Sequence, residues 1–134
     1  MRLALAITTF DRPDALAAVL HTVCSLRGAP DEVLIADDGS GPSTAAVVRE
    51  FGARLAFPLR HLRQDHLGFR LTRLRNMAIA ATHADYVVFV DGDMLLHAAF
   101  IADHHRCAAP GCFVQGVRIP LDLAGTERML SHPG

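Results

Sequence analysis

The stretch Tyr86-Val87-Val88-Phe89-Val90-Asp91-Gly92-Asp93 decides the fold. Residues 86–90 are apolar without a break and rich in β-branched and aromatic side chains, which predicts a strand covered on both faces in the middle of a parallel sheet. The run stops at two carboxylates that flank a glycine. Residues 3–7 and 32–36 follow the same rule. Each is a short apolar run that ends in a polar cluster, Thr8-Thr9-Phe10-Asp11 and Asp37-Asp38-Gly39-Ser40.

Helical spacing fills the gaps between these runs. Asp11 is expected to cap a helix with Pro13 in its first turn, carried by Leu16, Val19, Leu20, Val23 and Cys24 and stopped by Gly28 and Pro30. A second helix is predicted over residues 43–51, ended by Gly52. A third is predicted from Gly68 to about residue 82, with Leu71, Leu74, Ala78 and Ala81 inward and Arg70, Arg73 and Asn76 off that stripe. Residues 55–63 form a weaker strand, at an edge because of Pro58. A helix over residues 98–107 and a fifth strand over residues 112–119 complete the pattern, and the last fifteen residues show no period. Strand and helix in alternation predict an α/β fold: a mostly parallel sheet with helices on both faces. The whole of 1–134 is expected to be one domain. Its end, Ser131-His132-Pro133-Gly134, is turn-like and reads as truncated at the C-terminus.

In an open parallel sheet the carboxyl ends of the strands share one edge, and ligands bind in the crevice outside it. Three clusters far apart in sequence should therefore meet. Asp37, Asp38, Asp91 and Asp93 on one rim would repel one another unless a cation sits among them. Oxygen donors suit Mn²⁺ or Mg²⁺, and Mg²⁺ is commonly held by one or two carboxylates together with phosphate oxygens and water. Gly92 would let a ligand approach closely. Asp-Gly-Asp alone is more often a turn, and Asp-Asp-Gly-Ser is a good turn or helix cap. Their shared position after buried strands makes them a site.

Composition narrows the partners. The net charge is −1 with histidine neutral, and charged residues make up 20% of the chain. That balance lacks the electrostatic footprint of a nucleic-acid or membrane-surface binder. All thirteen basic residues are arginine, so an anionic ligand must be met by Arg, His, backbone N–H groups or a metal. Three cysteines without a CxxC pair suggest a reducing, cytoplasmic setting. Neither a signal-peptide pattern nor a run of the ~18 apolar residues that spans a membrane is present. Peripheral association with the inner face of the membrane would have to come from regions outside the chain. A zinc site at His97, His104 and His105 is not expected, for want of further ligands at suitable spacing.

The motifs Thr8-Thr9-Phe10-Asp11-Arg12-Pro13, Asp37-Asp38-Gly39-Ser40, Gly68-Phe69-Arg70 through Arg75-Asn76, and Tyr86 through Met94, in this order, resemble family 2 glycosyltransferases, in particular the bacterial chondroitin-polymerase-like and galactosyltransferase-like branch. The resemblance covers nearly the whole chain. It implies a GT-A fold and metal-dependent, inverting transfer of a sugar from a nucleotide-sugar donor, typically a UDP-sugar, to a glycan or other hydroxyl acceptor. It implies that Thr8, Thr9 and Phe10 line the base pocket, that Asp38 with Asp37 beside it meets the uracil or ribose, and that Asp91 and Gly92 lie near the ribose or donor sugar. Asp91 and Asp93 would hold the metal, and Arg70, Arg73 and Arg75 are candidates for the diphosphate or the rim carboxylates. Asn76 is expected to bond backbone near the site.

One departure is serious. The family places its catalytic Asp or Glu well beyond the metal motif, often in an acidic pair after a loop containing glycine and tryptophan, to deprotonate the acceptor hydroxyl. This chain has no Trp, and its acids after Asp93 are Asp103, Asp122 and Glu127, none in that motif. No catalytic base is identifiable. A donor-binding fragment of a longer enzyme is the expectation, with a non-catalytic module or truncated paralogue as the alternative. A phosphoacceptor signalling domain would need a Lys. A sugar nucleotidyltransferase would need a glycine-rich basic loop in place of Thr8-Thr9-Phe10-Asp11-Arg12-Pro13.

Overall fold

The computed structural model describes residues 1–132. Its elements follow in the order β1 (Leu3–Thr9), α1 (Pro13–Cys24), β2 (Glu32–Asp37), α2 (Pro42–Arg54), β3 (Leu59–Arg63), α3 (Leu71–Ala81), β4 (Tyr86–Asp91), α4 (Phe100–Cys107) and α5 (Leu123–Ser131). The four strands form one sheet in the order β3-β2-β1-β4, and every pairing is parallel. This is the α/β architecture the alternation predicts.

Both central strands, β1 and β2, lie deep in the protein, and Leu3, Leu5, Ile7, Val33 and Ile35 are fully buried. These alternate positions face a large core built with Leu16, Val19, Leu20 and Val23 of α1, Val48 and Phe51 of α2, and Ile101 of α4. The opposite sheet face carries Ala6, Leu34 and Ala36 against Leu74 and Ala78 of α3. Helices therefore cover both faces. Right-handed crossovers require this: α1 and α2 link strands that run one way across the sheet, and α3 links β3 back past β1 to β4.

Several expectations need correction. β4 is an edge strand among the described residues, paired only with β1. Its apolar run is continuous because Val88 and Val90 enter one core while Val87 and Phe89 pack on the other. Residues 112–119 form no strand. Gly116 interrupts the segment, Pro120 follows it, and Val117 and Ile119 are 93% and 88% exposed. β3 starts at Leu59, after Pro58, and is the expected edge strand. α2 continues through Gly52, around whose Cα the space is open. α3 starts at Leu71 because Gly68 has φ +73°, outside the helical region.

Asp11 does not cap α1. Arg12 holds the cap position without a side-chain bond, and Asp11 itself has φ 45°. The tail contains a helix that its lack of period concealed: Asp122 caps α5 through Gly125 N–H, and α5 has no buried residue. The turn expected over residues 131–134 is replaced at its start by the end of α5 and its cap His132; Pro133 and Gly134 lie outside the described residues. No helix among the described residues is long and apolar enough to cross a membrane.

Candidate functional site

Strand register brings the three polar clusters level. Thr8 pairs with Asp91 across β1 and β4, and Thr9 pairs with Asp37 across β1 and β2. The strand order reverses between β1 and β4, and that reversal is where an open α/β sheet leaves a crevice at its carboxyl edge. Asp91 stands at its mouth. Thr8 Oγ1 donates to Asp91 Oδ1 at 3.1 Å, and Arg75 Nη2 from α3 reaches the same oxygen at 3.4 Å. Arg118 Nη1, from the exposed segment after α4, lies 3.9 Å from Asp91 Oδ2. One carboxylate thus draws two guanidinium groups to the crevice.

Gly92 serves the packing of this corner. A Cβ there would sit 2.6 Å from the Thr8 carbonyl oxygen and 3.3 Å from Thr9 Oγ1. Only glycine lets β4 leave the sheet this close to β1. Asp93, one residue on, is exposed. Asp91 O accepts from Met94 N–H at 3.0 Å, so the Asp-Gly-Asp segment is also the turn that its composition suggests.

The β1 and β2 loops are tied to each other. Asp11 N–H donates to Ser40 Oγ at 2.9 Å, and Gly41 N–H donates to Asp11 Oδ1 at 2.8 Å. Asp37 is fully buried and anchors its own turn. Its Oδ1 accepts from Ser40 N–H at 2.8 Å, and its Oδ2 lies 2.8 Å from His61 Nε2. Both of its oxygens are occupied within the protein. Asp38 faces outward: Oδ1 accepts from Gln64 Nε2 at 2.6 Å, and Oδ2 lies 2.8 Å from His66 Nδ1. Burial pushes the Asp38 carboxyl up, but the bonds from Gln64 and His66 and the charges of His66 and Arg70 outweigh that and hold it below the usual carboxylate value. Phe10 is 44% exposed, and the His66 ring stacks on it at 4.0 Å with an interplanar angle of 10°.

Arg70 bonds the carbonyl of Asp65, and its Nε is buried without a partner among the described residues, as is that of Arg75. Arg70 and Arg73 line a cleft of about 300 Å³ together with Arg63, Gln64 and Asp65. Arg75 projects from another side of α3, since residues two apart on a helix do not share a face. Asn76 is exposed and makes no side-chain hydrogen bond among the described residues, so the expected backbone bond is not formed. His104 is buried away from this edge, 3.0 Å from the Tyr86 hydroxyl, and burial holds its pKa below the ordinary value against the pull of Asp103.

Gln64, His66, His61 and Arg118 escape the reading of the sequence. A signal for the first two existed: Gln64-Asp65-His66 directly follows β3, so a fourth polar cluster ends a fourth strand. The weak apolar character of β3 hid it.

Among the described residues no three His, Cys, Asp or Glu side chains gather as a metal cage. Two hard carboxylates, Asp91 and Asp93, suit a divalent cation shared with a ligand's phosphates rather than one enclosed by protein.

The profile of Glycosyl transferase family 2 matches residues 4–105. A chondroitin synthase of Escherichia coli is 36% identical over 108 residues, which are 80% of this chain and 16% of that protein. Among solved structures, S. aureus TarS in complex with UDP-GlcNAc superposes with a TM-score of 0.66 at 21% identity, over 79% of this chain and 32% of that one. Glucosyl-3-phosphoglycerate synthase from Mycobacterium tuberculosis, in complex with Mn²⁺, UDP and glucosyl-3-phosphoglycerate, gives a TM-score of 0.60 at 19% identity, over 75% and 37%. The chain therefore spans well under half the length of these proteins.

Proposed function

The chain belongs to glycosyl transferase family 2, and from that premise we propose that its β1–β4 crevice binds a nucleotide-sugar donor, with a uridine diphosphate as the carrier, for transfer of the sugar to a glycan or other hydroxyl acceptor. The observation that carries this reading is the Thr8–Asp91 pair at the reversal of strand order, with Arg75 drawn to the same carboxylate. In this reading residues 1–134 are the donor-binding part of a GT-A domain.

Each side chain has a task. Phe10, 44% exposed, offers its ring to the base. Asp38, kept ionised, accepts an N–H from the base or a ribose hydroxyl. Thr8 and Thr9 shape the floor beside them, and Asp37 stiffens the loop from inside. Arg75 and Arg70 supply guanidinium groups for the phosphate oxygens, a pairing that suits their planar geometry. Gly92 keeps the Asp91 corner flush with β1. Asp91 and Asp93 would hold Mn²⁺ or Mg²⁺, which when bound supplies Lewis-acid neutralisation of the departing diphosphate. With no lysine in the chain, the diphosphate must be met by arginine, histidine, backbone N–H groups and that ion.

A general base for an inverting transfer is not assigned. Asp103 pairs with Arg106 at 2.9 Å, Asp122 caps α5, and Glu127 stands on a helix without buried residues. These commitments favour a second reading alongside the first: the chain binds the donor, and the group that activates the acceptor comes from elsewhere. The three exposed free cysteines are consistent with a reducing, cytoplasmic setting.

Calorimetry with UDP, with and without Mn²⁺, tests the reading. Binding should require or gain from Mn²⁺, and Asp93→Ala should remove that gain, with affinity in Mn²⁺ down roughly tenfold or more. A folded chain that ignores UDP at every metal concentration would refute it. Sugar transfer by this chain alone would contradict the division of labour and leave donor binding intact.

A further inference from the structure

His66 has no task in the donor site as just described, yet it touches two of its residues. Its ring lies parallel to Phe10, centroids 4.0 Å apart at 10°. Its Nδ1 is 2.8 Å from Asp38 Oδ2. An ionised carboxylate can only accept, so Nδ1 carries the proton and donates. The contact is held by the backbone: Gly39, at φ +81°, lets the loop settle so closely that a Cβ there would be 2.6 Å from His66 N and 3.1 Å from Gln64 O. The ring itself is not locked by burial, since the His66 side chain is 41% exposed and Phe10 44%.

A flat heteroaromatic ring stacked on a phenyl face, with a ring N–H held by a carboxylate, is the contact set by which a nucleobase is bound. We propose that His66 occupies the base subsite of the free chain as a stand-in for the nucleobase, and that a nucleoside diphosphate binds by displacing the imidazole from Phe10 and Asp38. This rests on reading the β1–β4 crevice as a donor site and adds to it a specificity-determining residue. The base must outcompete an imidazole for one face and one carboxylate oxygen. Uracil, with an imide N–H, can do so. Cytosine presents a lone pair at the corresponding ring nitrogen, would face Asp38 with like polarity, and loses the competition.

Displacement has a quantitative consequence. If the binding-competent form is only a fraction of the population, apparent affinity falls by that fraction, and removing the competitor restores it. Calorimetry with UDP in Mn²⁺, and with UMP without metal, should give His66→Ala roughly tenfold tighter binding of both than the unaltered chain. Phe10→Ala should bind both roughly tenfold more weakly. In NMR spectra of the unaltered chain, UMP should move the His66 ring resonances away from their Phe10-shielded positions. Equal or weaker binding by His66→Ala, with UDP still bound by the unaltered chain, overturns the displacement and leaves the donor site standing. Failure of both chains to bind UDP or UMP overturns the two together.

Discussion

Asp91 accepts from Thr8 and Arg75 on one oxygen and lies 3.9 Å from Arg118 on the other, so this carboxylate is surrounded by donors. Its placement depends on Gly92. Gly92→Ala forces a methyl to 2.6 Å from the Thr8 carbonyl oxygen; β4 must shift, and chemical denaturation should show a loss of about 1–3 kcal/mol, with UDP binding impaired beyond it. An alanine tolerated at full stability and affinity would contradict the close approach. The placement of Asp91 and Asp38 at the carboxyl edge of the sheet was legible in the sequence because both follow apolar runs. The inward turn of Asp37, the stack of His66 on Phe10 and the reach of Arg118 were not. Each depends on side-chain direction after a turn, which strand-ending patterns do not encode.

Among the elements, β1 buries all seven of its residues and β2 all but Glu32, whereas α5 buries none. The cap of α5 should therefore matter locally. Asp122→Ala removes the bond to Gly125 N–H, a change that elsewhere costs about 1 kcal/mol of helix stability. Amide exchange in α5 should quicken, with the global unfolding midpoint nearly unmoved. A clear fall in that midpoint would mean that α5 is part of the cooperative core. By contrast Phe51→Ala, in the large core at 1% exposure, should cost about 3–5 kcal/mol in denaturant unfolding. Elements with a buried stripe, such as α1 and α3, were legible from periodicity. α5 was hidden because a helix without a buried face has no apolar stripe to display, and residues 112–119 misled because their apolar run has no layer above it.

For the whole molecule, a parallel sheet ordered β3-β2-β1-β4 sets one carboxyl edge and one reversal, and the polar clusters that end the strands collect there. Its stability should fall on acidification in two stages. Burial depresses the pKa of His104 from 6.5, so below about pH 6.5 the unfolded chain takes up a proton that the folded chain refuses; stability is complete above that value and is lost as pH falls toward the folded value. Thermal unfolding from pH 7.5 to 5 should show this slope, reduced in His104→Gln. Asp38 is depressed from 3.8, so its contribution is present above that value and disappears as pH falls through the lower, folded one. The most direct test of the central claim is a crystal of the chain grown with UDP and Mn²⁺ and measured at the manganese absorption edge. An anomalous peak is expected between the Asp91 and Asp93 carboxylates and the diphosphate, with the base against Phe10. A nucleotide and metal bound away from the carboxyl edge of β1 and β4 would contradict it.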